Sequence, residues 1–270
     1  MIFATDKGRL CNNILQFGHV YAWAKEHGKD AIAMRFCYKY RYFAVCESKH
    51  YNWITYLFAK YSAKLHLLPT ISFMEKEDFN DENIARLKAC KNVLLVGWYF
   101  RDYEAFLRRQ EEIKTMFTFR TKILQRVNKR IPLPNPERIR LGVHIRRGDY
   151  KNFYEGKYYF SDEDFIKIIQ SFCRLFPQNQ VEVVIVGNEE NLNTELYNVA
   201  LPVKIYFPQG NAGEDLYALS TCHYLIGPPS TFSLMAAFYN DANLYWIFDK
   251  NIELQKNSFR KFDYWFRNII

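Results

Sequence analysis

The chain has 270 residues, 49% of them hydrophobic and 18% aromatic, with a formal net charge of +8. That supplies a sizeable core for one large domain or two small ones and excludes a disordered chain. The longest apolar runs, such as residues 93–96 and 183–186, are far too short to span a bilayer.

The opening Met1-Ile2-Phe3-Ala4-Thr5-Asp6 lacks the basic and long apolar stretches of a signal peptide, so a cytoplasmic protein is expected. The six cysteines form no C-x-x-C pair, which argues against a zinc site and a disulfide framework. No metal site is expected. No H-E-x-x-H and no G-x-x-x-x-G-K-[ST] occurs, which disfavours a zinc protease and a Walker-type hydrolase.

In chain order, residues 1–4 read as a short strand. A loop through Gly8 and Arg9 then leads into a helix over about 12–26, and residues 31–36 read as the next strand. This opening has the form of the first unit of a nucleotide-binding α/β fold, although glycines are too sparse for a dinucleotide fingerprint. Residues 37–92 are aromatic-rich and irregular. Residues 93–98 read as a strand and 103–129 as largely helical. Nine basic residues oppose four acidic ones between Arg101 and Arg130. Such a stripe attracts phosphates of any kind, or is simply a solvated helix face.

Pro132, Pro134 and Pro136 then interrupt the chain, since proline cannot continue a helix. We expect an N-terminal α/β domain over residues 1–135, a second Rossmann-like domain over 136–250, and a distinct tail over 251–270. Two such halves suggest a ligand in the cleft between them. In the second half, strands are expected over 139–145, 181–186, 203–207, 224–226 and 243–248. Helices are expected over 162–176, 214–221 and 232–239, the first capped by Ser161 with Asp164 three residues on. Alternating strands and helices imply a parallel sheet covered on both faces. If helical, the tail puts Phe259, Phe262, Trp265, Phe266, Ile269 and Ile270 on one side and Lys256, Arg260 and Arg267 on the other. It would either lie on an anionic membrane or dock on the N-terminal half.

The densest chemistry is Leu141-Gly142-Val143-His144-Ile145-Arg146-Arg147-Gly148-Asp149-Tyr150. Ile139, Leu141, Val143 and Ile145 alternate with Arg140, His144 and Arg146, so the two sets take opposite faces of one strand. A cation at the carboxyl end of a buried strand is where an open α/β sheet places ligand contacts. Three loops share that side: 146–150, 187–189 and 227–231. Ser230 and Thr231 begin a helix, where a hydroxyl can cap and backbone N–H groups can bind phosphate, or can serve as an ordinary cap. Arg146 or Arg147 would face that phosphate with two parallel hydrogen bonds. A diphosphate held this way needs no metal.

The run His144-Ile145-Arg146-Arg147-Gly148-Asp149-Tyr150 resembles the hallmark of the α-1,2-fucosyltransferases of glycosyltransferase family 11, with related forms in α-1,6 and protein O-fucosyltransferases. Two further segments match in order. Residues 8–17, from Gly8-Arg9-Leu10-Cys11-Asn12-Asn13 to Gln16-Phe17, resemble the family's opening G-x-L-G-N-Q-x-x-Q-[FY]. Asp215-Leu216-Tyr217-Ala218-Leu219-Ser220-Thr221-Cys222 and Ser230-Thr231-Phe232-Ser233 resemble its later block. Cys11, Asn13, Pro229 and the pair Leu234-Met235 depart from the usual glycine, glutamine, asparagine and Trp-Trp.

The resemblance implies a GT-B-like α/β fold of two Rossmann-like domains, with GDP-fucose as donor and no metal cofactor. It implies that Arg146 holds the β-phosphate, His144 orients the nucleotide, and Asp215 contacts guanine. Ser230, Thr231 and Phe232 would hold the diphosphate and nucleoside, and Arg9 and Asn12 would approach the diphosphate or fucose. Arg147 is a further candidate contact. Asp149 is either the base for the acceptor hydroxyl or the carboxylate that orients Arg146 or Arg147. The expected reaction is inverting transfer of L-fucose to the 2-hydroxyl of a galactoside, in a bacterial surface glycan that is lipid-linked or free. The competing readings are a transferase for another GDP-hexose, a non-catalytic GDP-sugar binder, and a nucleic-acid-binding protein using the positive charge.

Overall fold

The computed structural model describes residues 1–5, 8–177, 180–187 and 192–269. Expectations that fall on Asp6, Lys7, Asn188, Glu189 and Ile270 lie outside these residues. The chain divides into two compact units, Met1–Arg120 and Thr121–Ile270.

The first unit runs β1 (Ile2–Ala4), α1 (Leu10–Glu26), β2 (Ala31–Ala33), α2 (Met34–Tyr38), α3 (Trp53–Lys64), β3 (Thr70–Phe73), α4 (Asp81–Ala89), β4 (Val93–Gly97), α5 (Tyr103–Arg108) and α6 (Gln110–Met116). Its sheet has the order β2-β1-β4-β3, and every described pairing is parallel. The strand expected over 31–36 stops at Ala33, and Met34 opens a helix instead. The segment read as irregular holds two helices and a strand. Asn52 and Asn80 cap α3 and α4 by accepting from Thr55 N and Asn83 N, each at 3.0 Å. In β3, Ile71 and Phe73 are buried while Thr70 and Ser72 are exposed, the period of two of a half-covered strand.

The second unit runs α7 (Thr121–Asn128), β5 (Ile139–Ile145), α8 (Asp162–Cys173), β6 (Val181–Gly187), α9 (Thr194–Ala200), β7 (Lys204–Tyr206), α10 (Ala212–Ser220), β8 (Tyr224–Gly227), α11 (Thr231–Asn240), β9 (Asn243–Trp246) and α12 (Phe262–Phe266). The sheet order is β7-β6-β5-β8-β9, again parallel in every described pairing. The alternation in β5 is realised on two buried faces. Leu141, Val143 and Ile145 join the core with Phe165, Ile169 and Phe172 of α8. On the other face Gly142 lies so close to its neighbours that a Cβ would meet Leu225 Cδ2 at 2.6 Å and Leu219 Cδ2 at 2.8 Å. Arg140, from the same face, is fully buried; its Nε donates to Glu182 Oε1 at 2.6 Å from the paired position on β6. Ser161 caps α8 in a reciprocal capping box with Asp164.

Two expectations are corrected here. The compact units divide between Arg120 and Thr121, whereas the sequence reading puts the boundary after residue 135. Helix α7 and the turn after it are tied to α10, because Glu214 Oε1 and Oε2 accept from Arg126 at 3.2 Å and Arg130 at 2.8 Å. The tail is not one amphipathic helix, and it packs on the sheet of its own unit. Arg260 pairs antiparallel with Leu244, closing the free edge of β9. Phe259, Phe262 and Phe266 are buried, and the Trp265 indole donates to Leu244 O at 2.9 Å. The aromatic face, which suited either docking or a membrane, is thus spent on the core of the second unit. Among the described residues, no helix is long and apolar enough to cross a membrane.

Candidate functional site

In the second sheet the chain passes from β5 to β6 and β7 on one side, while β8 and β9 lie on the other. The crevice outside the carboxyl ends of β5 and β8 is therefore a topological switch point, where open α/β sheets bind ligands. Arg146 follows β5 and Ser230 follows β8. Arg146 Nη1 donates to Ser230 Oγ at 3.0 Å across that crevice. The same Oγ accepts from Phe232 N at 3.1 Å, so the cap of α11 and the guanidinium share one oxygen. Phe232 and Thr231, both half-buried, form the first turn of α11.

Asp149 holds the guanidinium from the other side. Arg146 Nε donates to Oδ1 at 3.2 Å and Nη2 to Oδ2 at 2.7 Å, a two-point contact that sets the plane of the group. Both oxygens of Asp149 thereby face Arg146. Of its two expected roles, this geometry favours positioning over proton abstraction. Tyr150 completes the arrangement, with its ring 4.4 Å beneath the Arg146 guanidinium and its hydroxyl donating to Pro229 O. Sequence reasoning missed Tyr150 as a site residue. The signal was its place at the end of the motif, in the turn Gly148–Lys151.

Pro229, where asparagine was expected, meets Tyr150 through its main-chain carbonyl, a contact any residue supplies. Leu234 and Met235 are fully buried in α11. Ser233, one turn into the helix, donates to Ser230 O at 3.1 Å and accepts from the Trp246 indole at 3.0 Å. The turn that carries Ser230 is thus anchored from below.

His144 is buried and stacks on Phe232, with ring centroids 4.9 Å apart. Burial, reinforced by Arg146, pushes its pKa down to about 3, so the ring is neutral. Its Nδ1 is buried without a hydrogen-bond partner. Asp215 lies in the first turn of α10, on the same carboxyl edge, and accepts from Gly210 N at 3.0 Å. Burial lifts its pKa to about 6, with Glu214 adding to the rise.

Arg147 is not brought to this cluster. Its Nε donates to Phe160 O at 2.8 Å and its Nη2 to Asp162 Oδ1 at 2.5 Å, and Tyr197 donates to the same carboxylate oxygen at 2.7 Å. It is a buried tie between the motif and the start of α8. Arg9 and Asn12 belong to the first unit, at the head of α1 on the carboxyl edge of its own sheet. Gly8 turns there with φ +61, and a Cβ would meet Asn12 Nδ2 at 2.5 Å. Arg9 is exposed and is the N-cap residue of α1; Asn12 is half-buried. Of the three expected loops, 188–189 lies outside the described residues. Among the described residues, no group of three or more His, Cys, Asp or Glu is arranged to hold a metal ion.

Two parallel α/β units with an arginine–serine pair at a switch point define a protein of the GT-B type, a class its structural neighbours share. An Arabidopsis thaliana FUT1 mutant in complex with GDP superposes with a TM-score of 0.63 at 12% identity, over 96% of this chain and 73% of that one. POFUT1 in complex with GDP-fucose gives 0.62 at 12% identity, over 89% and 94%. NodZ alpha-1,6-fucosyltransferase soaked with GDP-fucose gives 0.56 at 14% identity, over 96% and 97%. No curated protein matches the sequence. Residues 7–265 match glycosyl transferase family 11, and the chain belongs to that family.

Proposed function

We propose that this glycosyltransferase is an inverting fucosyltransferase, moving L-fucose from GDP-β-L-fucose to the 2-hydroxyl of a galactoside. The observation that carries the reading is the Arg146–Ser230 contact of 3.0 Å at the β5/β8 crevice, which joins a fixed cation to a helix N-terminus. As the acceptor oxygen bonds to the anomeric carbon and gives up its proton to solvent water, the bond from that carbon to the β-phosphate oxygen breaks, and its electron pair leaves with GDP. Negative charge grows on the β-phosphate. A guanidinium already held by Asp149, Tyr150 and Ser230 meets that charge without reorganising, and this is the largest kind of electrostatic stabilisation a site supplies. Arg146 carries the charge in this reading, and no metal is required.

His144, neutral, and Phe232 stack and offer flat rings for the nucleoside. The Asp215 carboxylate suits the N–H donors of guanine. Arg9 and Asn12 are assigned to the donor as well. Asp149 is assigned to positioning Arg146. The acceptor is read as a lipid-linked galactoside of a growing surface glycan, which puts the enzyme on the cytoplasmic side of a membrane. Family membership and the fucosyltransferase neighbours support the donor. The α-1,2 linkage rests on the sequence resemblance, since NodZ is an alpha-1,6 enzyme.

A thermal-shift series with GDP, GDP-fucose, GDP-mannose and UDP-sugars tests the donor, because ligand binding to the native state raises the melting temperature. GDP and GDP-fucose are expected to stabilise. A response to UDP-sugars alone would overturn the assignment. Linkage analysis of the product on a galactoside acceptor tests the 2-hydroxyl.

A further inference from the structure

Helix α3 is amphipathic in the reverse of the usual sense. Its one fully buried residue is Ala59, and Thr55, Tyr56, Ser62 and Ala63 are half-buried beside it. The small and polar residues therefore face the protein. The opposite face presents Trp53 (55% exposed), Ile54 (79%), Leu57, Phe58 (62%) and Tyr61, and Leu65 continues the stripe past the last turn. At 3.6 residues per turn these positions fall within less than half of the helix circumference. A surface helix normally turns such a stripe inward. A contiguous exposed apolar patch of this kind marks an interaction surface.

The charges around the stripe identify what it meets. Lys60 and Lys64, one turn apart, line one border, and both are exposed. Lys49 and His50 precede the Asn52 cap and are exposed too. Helix α3 contains no acid, and the nearby Glu47 is already paired with Arg120 at 2.8 Å. Two copies of this face would bring unopposed lysines together, in a chain whose net charge is +8. An anionic phospholipid surface complements them. Its headgroups meet the ammonium groups, while the tryptophan, phenylalanine and aliphatic side chains enter the acyl boundary. Trp53 and Tyr61 have the polar-tipped aromatic character favoured at a membrane interface.

We infer that the outer face of α3, with Leu65 and Leu67 beyond it, seats the first unit on an anionic bilayer surface. The helix lies in the plane of the headgroups and does not cross. This locates membrane contact on α3 instead of the tail, whose Phe259, Phe262 and Phe266 are consumed internally. The inference does not rest on the donor assignment, because binding to lipid needs no nucleotide sugar.

Co-flotation of the full chain with liposomes of phosphatidylcholine alone, or with one third phosphatidylglycerol, tests it. Binding is expected to the anionic vesicles, to weaken with added salt, and to be accompanied by a blue shift of tryptophan emission. Ile54→Gln with Phe58→Gln is expected to weaken binding by roughly tenfold or more. Lys60→Glu with Lys64→Glu is expected to abolish the preference for anionic lipid. All four side chains are exposed, so unchanged melting curves verify that these variants fold. Lys256→Glu with Arg267→Glu, in the tail, should bind as the parent does. Failure of the parent chain to float with anionic vesicles would overturn the inference. So would equal flotation of the Gln variant. A concentration-dependent dimer, abolished by the α3 substitutions and indifferent to lipid, would assign the face to a second copy instead. GDP binding is measured separately, so loss of one reading leaves the other standing.

Discussion

Two adjacent arginines should fail in opposite ways. Replacing Arg147 by alanine removes a buried guanidinium and leaves Asp162, whose side chain is 18% exposed, with the Tyr197 hydroxyl as its remaining described partner. Breaking a buried pair costs about 3–5 kcal/mol, and the partial exposure of Asp162 argues for the lower end, about 3 kcal/mol. For a chain of this size that corresponds to a fall of about 6–12 °C in Tm. Arg146→Ala breaks a pair whose Asp149 side chain is 41% exposed, worth under about 1 kcal/mol to the fold. Its cost falls instead on the transition state, where losing a preorganised partner of the leaving charge slows turnover by about 10²–10³-fold. Arg146→Lys should fare little better, since an ammonium cannot bond Asp149 at two points and also reach Ser230. Melting curves, together with initial rates at saturating GDP-fucose and a galactoside, separate the two effects. A stable Arg147→Ala protein that has lost activity, or an Arg146→Ala protein that melts early and turns over normally, would refute the division of labour.

Acid should weaken the fold through His144. Its native pKa is pushed down to about 3, whereas an unfolded histidine titrates near about 6.5. The unfolded chain binds the extra proton between those values, so stability is lost as pH falls below about 6.5, at up to about 1.4 kcal/mol per unit. Buried His19 adds in the same direction. His144→Phe should flatten the dependence of the urea midpoint between pH 7 and 5, and an unchanged slope would refute the assignment. Asp215 runs the other way. Its native pKa is raised to about 6, so the native state holds the extra proton below that pH, and ionisation works against folding above it. Asp215→Asn should therefore raise Tm at pH 7 while weakening GDP binding by roughly tenfold or more, as read by calorimetric titration; undiminished GDP affinity would remove Asp215 from the guanine site. Gly142→Ala should cost about 1–3 kcal/mol by overpacking against Leu225, Leu219 and Cys222. A denaturation midpoint equal to the parent's would mean that α10 yields freely.

What the sequence determined by itself was local. The alternation of β5, the Ser161–Asp164 box and the helix start at Ser230 are each written within a few residues, because strand period and capping are short-range properties. The alternation of Ile71 and Phe73 in β3 is equally short-range, but over four residues it is too brief to stand out by period alone. Tertiary structure alone decided what each arginine of the motif touches. Arg146 finds Ser230 at a separation of 84 residues, while Arg147, one position on, turns to Asp162. The fate of the apolar stripes was decided the same way. The tail, which in sequence suited either docking or a membrane, was claimed by the open edge of β9, and α3 was left with its aromatics outward. Sequence records which side chains share a face. Whether that face meets core or solvent depends on partners that only the folded chain brings alongside.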